Sequence, residues 1–198
     1  MKNASILLVA IALLSAAAPP SVGAEMPPDT SAVPQTRPSG KGDRVFEIRA
    51  GILLHDRALF HDRKERGEDL NFEALLPPPA WKVFKAIWSP RPHVGVNVND
   101  HGDTSQVYGG FTWEWRPFRN AFVDGSLGLS LHDGDLSPGR RGLEGLGLRV
   151  LFRESLDVGY RFGGRHGFSL HVEHVSNAGL APENQGISSM GARYGYRY

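Results

Sequence analysis

The feature that most limits what this chain can become is an alternation of period two that recurs from residue 44 to residue 198. Successive side chains of an extended backbone point to opposite faces, so each alternating stretch presents two unlike surfaces. Phe46, Ile48, Ala50, Ile52 and Leu54 share one face, against Glu47, Arg49 and Gly51. Leu70, Phe72, Ala74 and Leu76 oppose Asp69, Asn71 and Glu73. Val94, Val96 and Val98 mark a third segment, and Phe111, Trp113 and Trp115 a fourth, with Thr112 and Glu114 behind. Ala121, Val123, Gly125, Leu127, Leu129 and Leu131 form a fifth. The sixth runs from about 145 to 162, with Val150, Phe152, Leu156, Val158, Tyr160 and Phe162 opposite Arg149, Arg153, Asp157 and Arg161. A seventh covers 168–176, and the eighth runs from Ser188 to Tyr198 through Met190, Ala192, Tyr194 and Tyr196.

Eight such segments, most of them meeting the roughly 9–11 residues a tilted strand needs to cross a bilayer, predict an all-β fold. The expected architecture is an eight-stranded antiparallel transmembrane up-and-down β-barrel of the outer membrane. Long connections at 56–67, 132–144 and 177–187 and a medium one at 100–106 alternate with short turns at 116–119 and 163–166. That is the expected succession of extracellular loops and periplasmic turns. Only 77–90 departs from it; Trp81, Phe84 and Trp88 fit either a short interfacial helix or an aromatic-rich connection. A soluble barrel would need the faces reversed. The ionic second face and the terminal tyrosine favour the membrane version, with Trp113, Trp115, Tyr194, Tyr196 and Tyr198 as aromatic girdles and the inward charges pairing in a plugged interior. Glu154 falls on the apolar parity, which marks either a bulge or a position above the hydrocarbon. The charged run 61–67 reads as a solvated loop.

The N-terminus supports export. Lys2 precedes the apolar run Ile6–Leu14 and small residues ending at Ala24, the pattern of a secretory signal spanning 1–24. Residues 25–43, rich in Pro, Ser, Thr and Gly, read as a flexible linker, leaving 44–198 as the barrel domain. The chain has 22 Lys plus Arg and 21 Asp plus Glu, so losing Lys2 with the signal leaves 21 of each. A neutral chain of this kind is not a nucleic-acid binder. Without cysteine there is neither a disulfide framework nor a thiolate zinc site. The histidines are scattered, and His171 and His174 lie on opposite faces, so no metal site and no cofactor is expected.

On the seventh segment Phe168, Leu170, Val172, His174 and Ser176 share the apolar face. A histidine that can take a proton from a serine hydroxyl is the minimum for acyl transfer. Placing that pair on the lipid side suits a lipid substrate. The plainer reading of the same two residues is a strand end capped at headgroup level.

The block His174-x-Ser176-Asn177-Ala178-Gly179, followed by Pro182, Asn184, Gly186 and a last strand, resembles the outer-membrane lipid A 3-O-deacylases of the PagL type, and Arg149–Phe162 is similar to that family's preceding strand. The resemblance implies an esterase that removes the 3-linked hydroxyacyl chain of lipid A within lipopolysaccharide, acting at the membrane face of the barrel. It implies Ser176 as nucleophile and His174 as general base. The backbone of Asn177, Ala178 and Gly179, with the Asn177 side chain, would hold the oxyanion. The family's third member, a glutamate two residues after the loop glycine, is replaced here by Ser188. Ser188 then orients His174 as a neutral partner, or Glu183 substitutes as the acid, or the chain is a poor catalyst. Glu173 points inward and pairs with an arginine. The competing class is a non-catalytic small barrel acting through its extracellular loops. Whether the protein forms a homodimer is left open.

Overall fold

The computed structural model describes residues 45–57, 65–137 and 143–198. The signal assigned to 1–24 and the linker assigned to 25–43 lie outside the described residues.

The strands are β1 (Glu47–Leu54), β2 (Glu68–Leu75), β3 (Arg91–Asn99), β4 (Gln106–Trp115), β5 (Ala121–His132), β6 (Val150–Phe162), β7 (His166–Ser176) and β8 (Ile187–Arg197). Each pairs antiparallel with the next, and β8 closes on β1, giving the expected barrel in sequence order. Closure leaves no unpaired edge, a condition any sheet must meet inside hydrocarbon.

The two faces are inverted relative to a water-soluble protein. On β1, Ile52 is 59 % exposed while Arg49 is 2 % exposed. The same contrast follows the alternation round the wall, so the outer surface is an apolar band and the interior is ionic. Arg49 reaches Glu47 at 2.8 Å and Asp124 at 2.5 Å, Arg193 reaches Asp157 at 2.5 Å, and Arg161 reaches Glu114 at 2.7 Å. Buried charges are tolerated only when paired and hydrogen-bonded, and these pairs plug the lumen. Glu173 is held by Arg153 at 2.6 Å.

Three boundaries differ from the sequence expectation. β3 starts at Arg91 and β4 at Gln106, both earlier than the alternation suggested. In β4 the pattern is blanked by Gly109 and Gly110; at Gly110 β5 comes very close, and a Cβ there would stand 2.2 Å from the Leu127 carbonyl oxygen. β6 starts later, at Val150, because Leu146 folds over the loop end of the barrel and is buried. The ladders through Glu154 run unbroken on both sides, so no bulge resets the parity there.

The 76–90 connection contains a short helix, α1 (Lys82–Ala86). Its Phe84 ring meets Phe111 at 5.6 Å between centroids, and Trp113 Nε1 donates to the Ile87 carbonyl at 2.8 Å. The segment is thereby fastened to the outer wall of β4, with Trp81 and Trp88 exposed at the turn end of the barrel. Trp113, Trp115, Tyr194, Tyr196 and Tyr198 all sit toward that same end, so they make one girdle rather than two.

The opposite end is tied by a buried carboxylate. Glu65, within the run expected to be solvated, is fully buried; the run's residues 61–64 lie outside the described residues. Its oxygens accept from His55 Nε2 (2.9 Å), Thr104 N (3.0 Å), Thr104 Oγ1 (3.1 Å) and Glu144 N (3.0 Å), joining three loops.

Candidate active site

β7 brings its chemistry to the outer surface by simple alternation. Gly167, Ser169, His171, Glu173 and Val175 face inward and are buried, whereas Leu170 and Val172 are exposed and His174 and Ser176 half-buried on the lipid side. His174 lies directly opposite Ser188 on β8 and opposite Glu154 on β6; Ser176 lies opposite Phe152.

The imidazole leans toward β8. Nδ1 of His174 is 2.7 Å from Ser188 Oγ, and Ser188 is itself buried. The far edge of the ring packs on Gly186, where a Cβ would stand 3.0 Å from Cε1 and 3.4 Å from Nε2. Gly186 has φ of 70°, a conformation that glycine adopts without cost, so its identity is demanded twice over. With Nδ1 bound to Ser188, Nε2 lies against Gly186. No hydrogen bond joins Ser176 to His174 among the described residues; a χ1 rotation at Ser176 on the same face is the movement available to close it.

Behind this outer surface the barrel is apolar. Leu146, Leu151, Val175 and Ile187 form a buried cluster. Val175 lies between His174 and Ser176 in sequence, Leu151 precedes Phe152 and Ile187 precedes Ser188, so one cluster backs all three strands of the site. Burying each side chain contributes on the order of 1.5–3 kcal/mol, which fixes the strand ends that carry the polar groups.

The loop after Ser176 is ordered by Asn177. Its Nδ2 donates to the Leu146 carbonyl at 2.9 Å and to the Glu183 carbonyl, its Oδ1 accepts from Gly179 N at 2.8 Å, and its own N–H donates to Asn184 Oδ1 at 2.9 Å. The Asn177 carboxamide and the Asn177 and Gly179 amides are thus committed to the loop. Of the three residues expected at the oxyanion, Ala178 is the one whose N–H is not committed in this way, and its φ of 55° holds the backbone in a turn. Glu183 joins the loop through its carbonyl, while the nitrogen an orienting acid would engage on His174 is taken by Ser188. Sequence reasoning did not single out Glu154, Leu146 or Gly186 as parts of the site. Their places depend on strand register, and only the misfit parity of Glu154 gave a signal. Among the described residues no group of three His, Cys, Asp or Glu side chains could hold a metal ion.

Residues 80–197 match the family model described as lipid A 3-O-deacylase (PagL). The crystal structure of the outer membrane enzyme PagL is similar, with a TM-score of 0.54 and 17% identity over 76% of this chain and 98% of that one. A de novo designed transmembrane β-barrel gives a TM-score of 0.50 at 9% identity, covering 80% of this chain and 98% of the design. At such identities both likenesses speak for the fold alone. No curated protein matches the chain.

Proposed function

This chain belongs to the lipid A 3-O-deacylase family, and on that premise we propose that it is an outer-membrane esterase that cleaves the 3-linked hydroxyacyl ester of lipid A with a serine–histidine pair. The observation that carries the reading is the pair itself: His174 and Ser176 project toward lipid near the loop end of the barrel, with Nδ1 of His174 held at 2.7 Å by Ser188.

The chemistry follows from that arrangement. An unactivated serine is a poor nucleophile. His174 Nε2 takes the Ser176 proton as Oγ bonds to the ester carbonyl carbon, while Nδ1–H donates to Ser188 Oγ and keeps the ring in the required tautomer. Negative charge collects on the former carbonyl oxygen, and the Ala178 N–H is the donor we assign to it; one such donor is worth about 3–4 kcal/mol in comparable sites. Collapse breaks the bond to the sugar 3-oxygen, which recovers the proton from His174. Water, activated by the same imidazole, then releases the hydroxy fatty acid. Phe152, Leu170, Val172 and Met190 line the outer wall around and below the pair, where the acyl chain lies without leaving its leaflet. Residues 1–24 serve as the export signal and 25–43 as the lead into the barrel.

The test is to incubate the purified protein with lipopolysaccharide and weigh the lipid A. Loss of one hydroxyacyl mass, absent in Ser176→Ala and His174→Ala, supports the reading. An unchanged spectrum from correctly folded protein supports a non-catalytic barrel acting through its loops.

A further inference from the structure

The turn end of the barrel, at the far end of β7 from His174 and Ser176, holds a cavity of about 350 Å³. Arg116, Arg119, Arg161, Arg165 and Arg197 line it, with no acidic side chain beside them among the described residues. Arg161 comes from the end of β6 and Arg197 from the end of β8, the others from the turns at 116–120 and 163–165. Both turns are pinned to the wall. Arg161 N–H donates to the Asn120 carbonyl at 2.7 Å and Asn120 Nδ2 to the Tyr160 hydroxyl at 2.8 Å, while Arg197 N–H donates to the Arg165 carbonyl at 2.9 Å. Arg116 and Arg197 are bonded to Glu114, and Arg197 to Glu47 as well. The other three have donors left over. Arg161 is nine-tenths buried, its guanidinium lies 4.3 Å from the Phe122 ring centroid, and Nη2 donates to Glu114 at 2.7 Å. Its Nε and Nη1 make no hydrogen bond, and Nη1 reaches Glu47 only as an ion pair at 3.5 Å. The Arg119 side chain makes no hydrogen bond or ion pair among the described residues, and that of Arg165 makes one contact, to the Tyr196 hydroxyl at 3.4 Å.

Buried donors without acceptors are costly, and a rigid set of guanidinium groups with spare N–H is the arrangement that receives an oxyanion. We propose that this mouth binds a phosphate group, with Arg161 as the buried donor and Arg119 and Arg165 as the outer ones. A phosphate presents enough oxygens to take a donor from β6 and from each turn at once, which a carboxylate with two does not. Phospholipid headgroups and free phosphate share this chemistry, and the surroundings of the cavity favour the lipid. Phe162 and Tyr198 line it and are exposed, Phe118 is exposed on the turn between Arg116 and Arg119, and Trp81 and Trp88 are exposed at the same end. Aromatic residues of this kind gather at headgroup depth, and the short turns of such a barrel face the periplasm. The phosphate at that depth belongs to an anionic phospholipid of the periplasmic leaflet, attracted by the local excess of basic residues. The site is independent of the serine–histidine reading and stands without it.

The experiment is calorimetric titration of the folded full chain, in uncharged maltoside micelles and phosphate-free buffer, with phosphatidylglycerol and separately with inorganic phosphate. The variants are R119Q/R165Q, R161Q and K82Q/K85Q; the last removes two charges from α1 at the same end but outside the cavity. Phosphatidylglycerol is expected to bind saturably, one per barrel, and R119Q/R165Q to weaken it at least about tenfold, since each loses charge-assisted hydrogen bonds. K82Q/K85Q should weaken it by under about threefold, the effect of screened surface charge alone. R161Q is expected to lose binding as well. Because Arg161 also holds Glu114, the turn variants decide the matter if R161Q does not fold. Saturable binding of inorganic phosphate in place of the lipid, with the same dependence on Arg119 and Arg165, supports the phosphate site and overturns its lipid source. Saturable binding of neither, unchanged affinity in R119Q/R165Q, or an equal loss in K82Q/K85Q overturns the proposal.

Discussion

His171 and His174 stand three residues apart on one strand and share neither neighbours nor task. His171 faces inward, fully buried, with Nδ1 at 3.0 Å from Asp157 and Nε2 at 3.3 Å from Glu173, so both nitrogens are spent on carboxylates that arginines also hold. His174 faces lipid, has Nδ1 on a neutral hydroxyl and its Nε2 edge against Gly186. The inner histidine belongs to a saturated network whose members restrain one another. The outer one is oriented by a neutral hydroxyl rather than by carboxylates. The barrel wall thus separates a histidine bound between two carboxylates from one oriented by a hydroxyl on the lipid side.

The sharpest way to break this contrast is to remove the outer pair. Ser176→Ala and His174→Ala should each lower lipid A deacylation by on the order of 10³-fold or more, while heat-modifiable gel mobility shows a folded barrel. Comparable loss in His171→Ala would erase the distinction between the faces. His171→Ala is instead expected to cost about 1–3 kcal/mol of stability in urea unfolding, since it leaves buried carboxylate oxygens without one donor, with activity in folded protein within a few-fold. Next in size is Ser188→Ala, which strips Nδ1 of its partner and should reduce kcat about tenfold, the rate equivalent of ~1.4 kcal/mol. A silent Ser188→Ala would show that Gly186 packing alone orients the ring.

The smallest effect concerns the inward cluster at the loop end. Burial opposes a charge on His55, but the hydrogen bonds it donates to Asp69 and Glu65 outweigh it and raise its pKa from 6.5 to about 10. A raised folded pKa means the clamp contributes fully below about 6.5 and is lost as pH rises through about 10. Burial also works against Glu65, whose pKa is nevertheless lowered by its bonds to His55 and Thr104, so its share is lost toward acid. Protease cleavage of the extracellular loops in folded barrels should therefore be slow near neutrality and accelerate above about pH 10. His55→Gln should flatten that alkaline rise. An alkaline rise unchanged in the variant would place the titrating group elsewhere.

Much of this was legible without coordinates. The parity of Phe168, Leu170, Val172, His174 and Ser176 was correct, as was the inward course of Glu173 toward an arginine. The errors have common causes. Gly109 and Gly110 hid the start of β4 because glycines carry no hydrophobic signal. Glu65 looked solvated because charge density in a loop says nothing about which loops converge on it. Nor was it legible that the Asn177 carboxamide donates to the Leu146 and Glu183 carbonyls, residues whose approach no local pattern announces.

What the amino-acid sequence determined by itself is therefore the face each side chain takes, since alternation is a property of a single extended strand and needs no partner. What only the tertiary structure decided is who stands beside whom across the ladders. Register is set between strands distant in sequence by closure of the barrel and by the Leu146 cluster. The row Glu154–His174–Ser188 exists only once three strands are aligned to within one residue, because a slip of one would turn an entire strand to the other face.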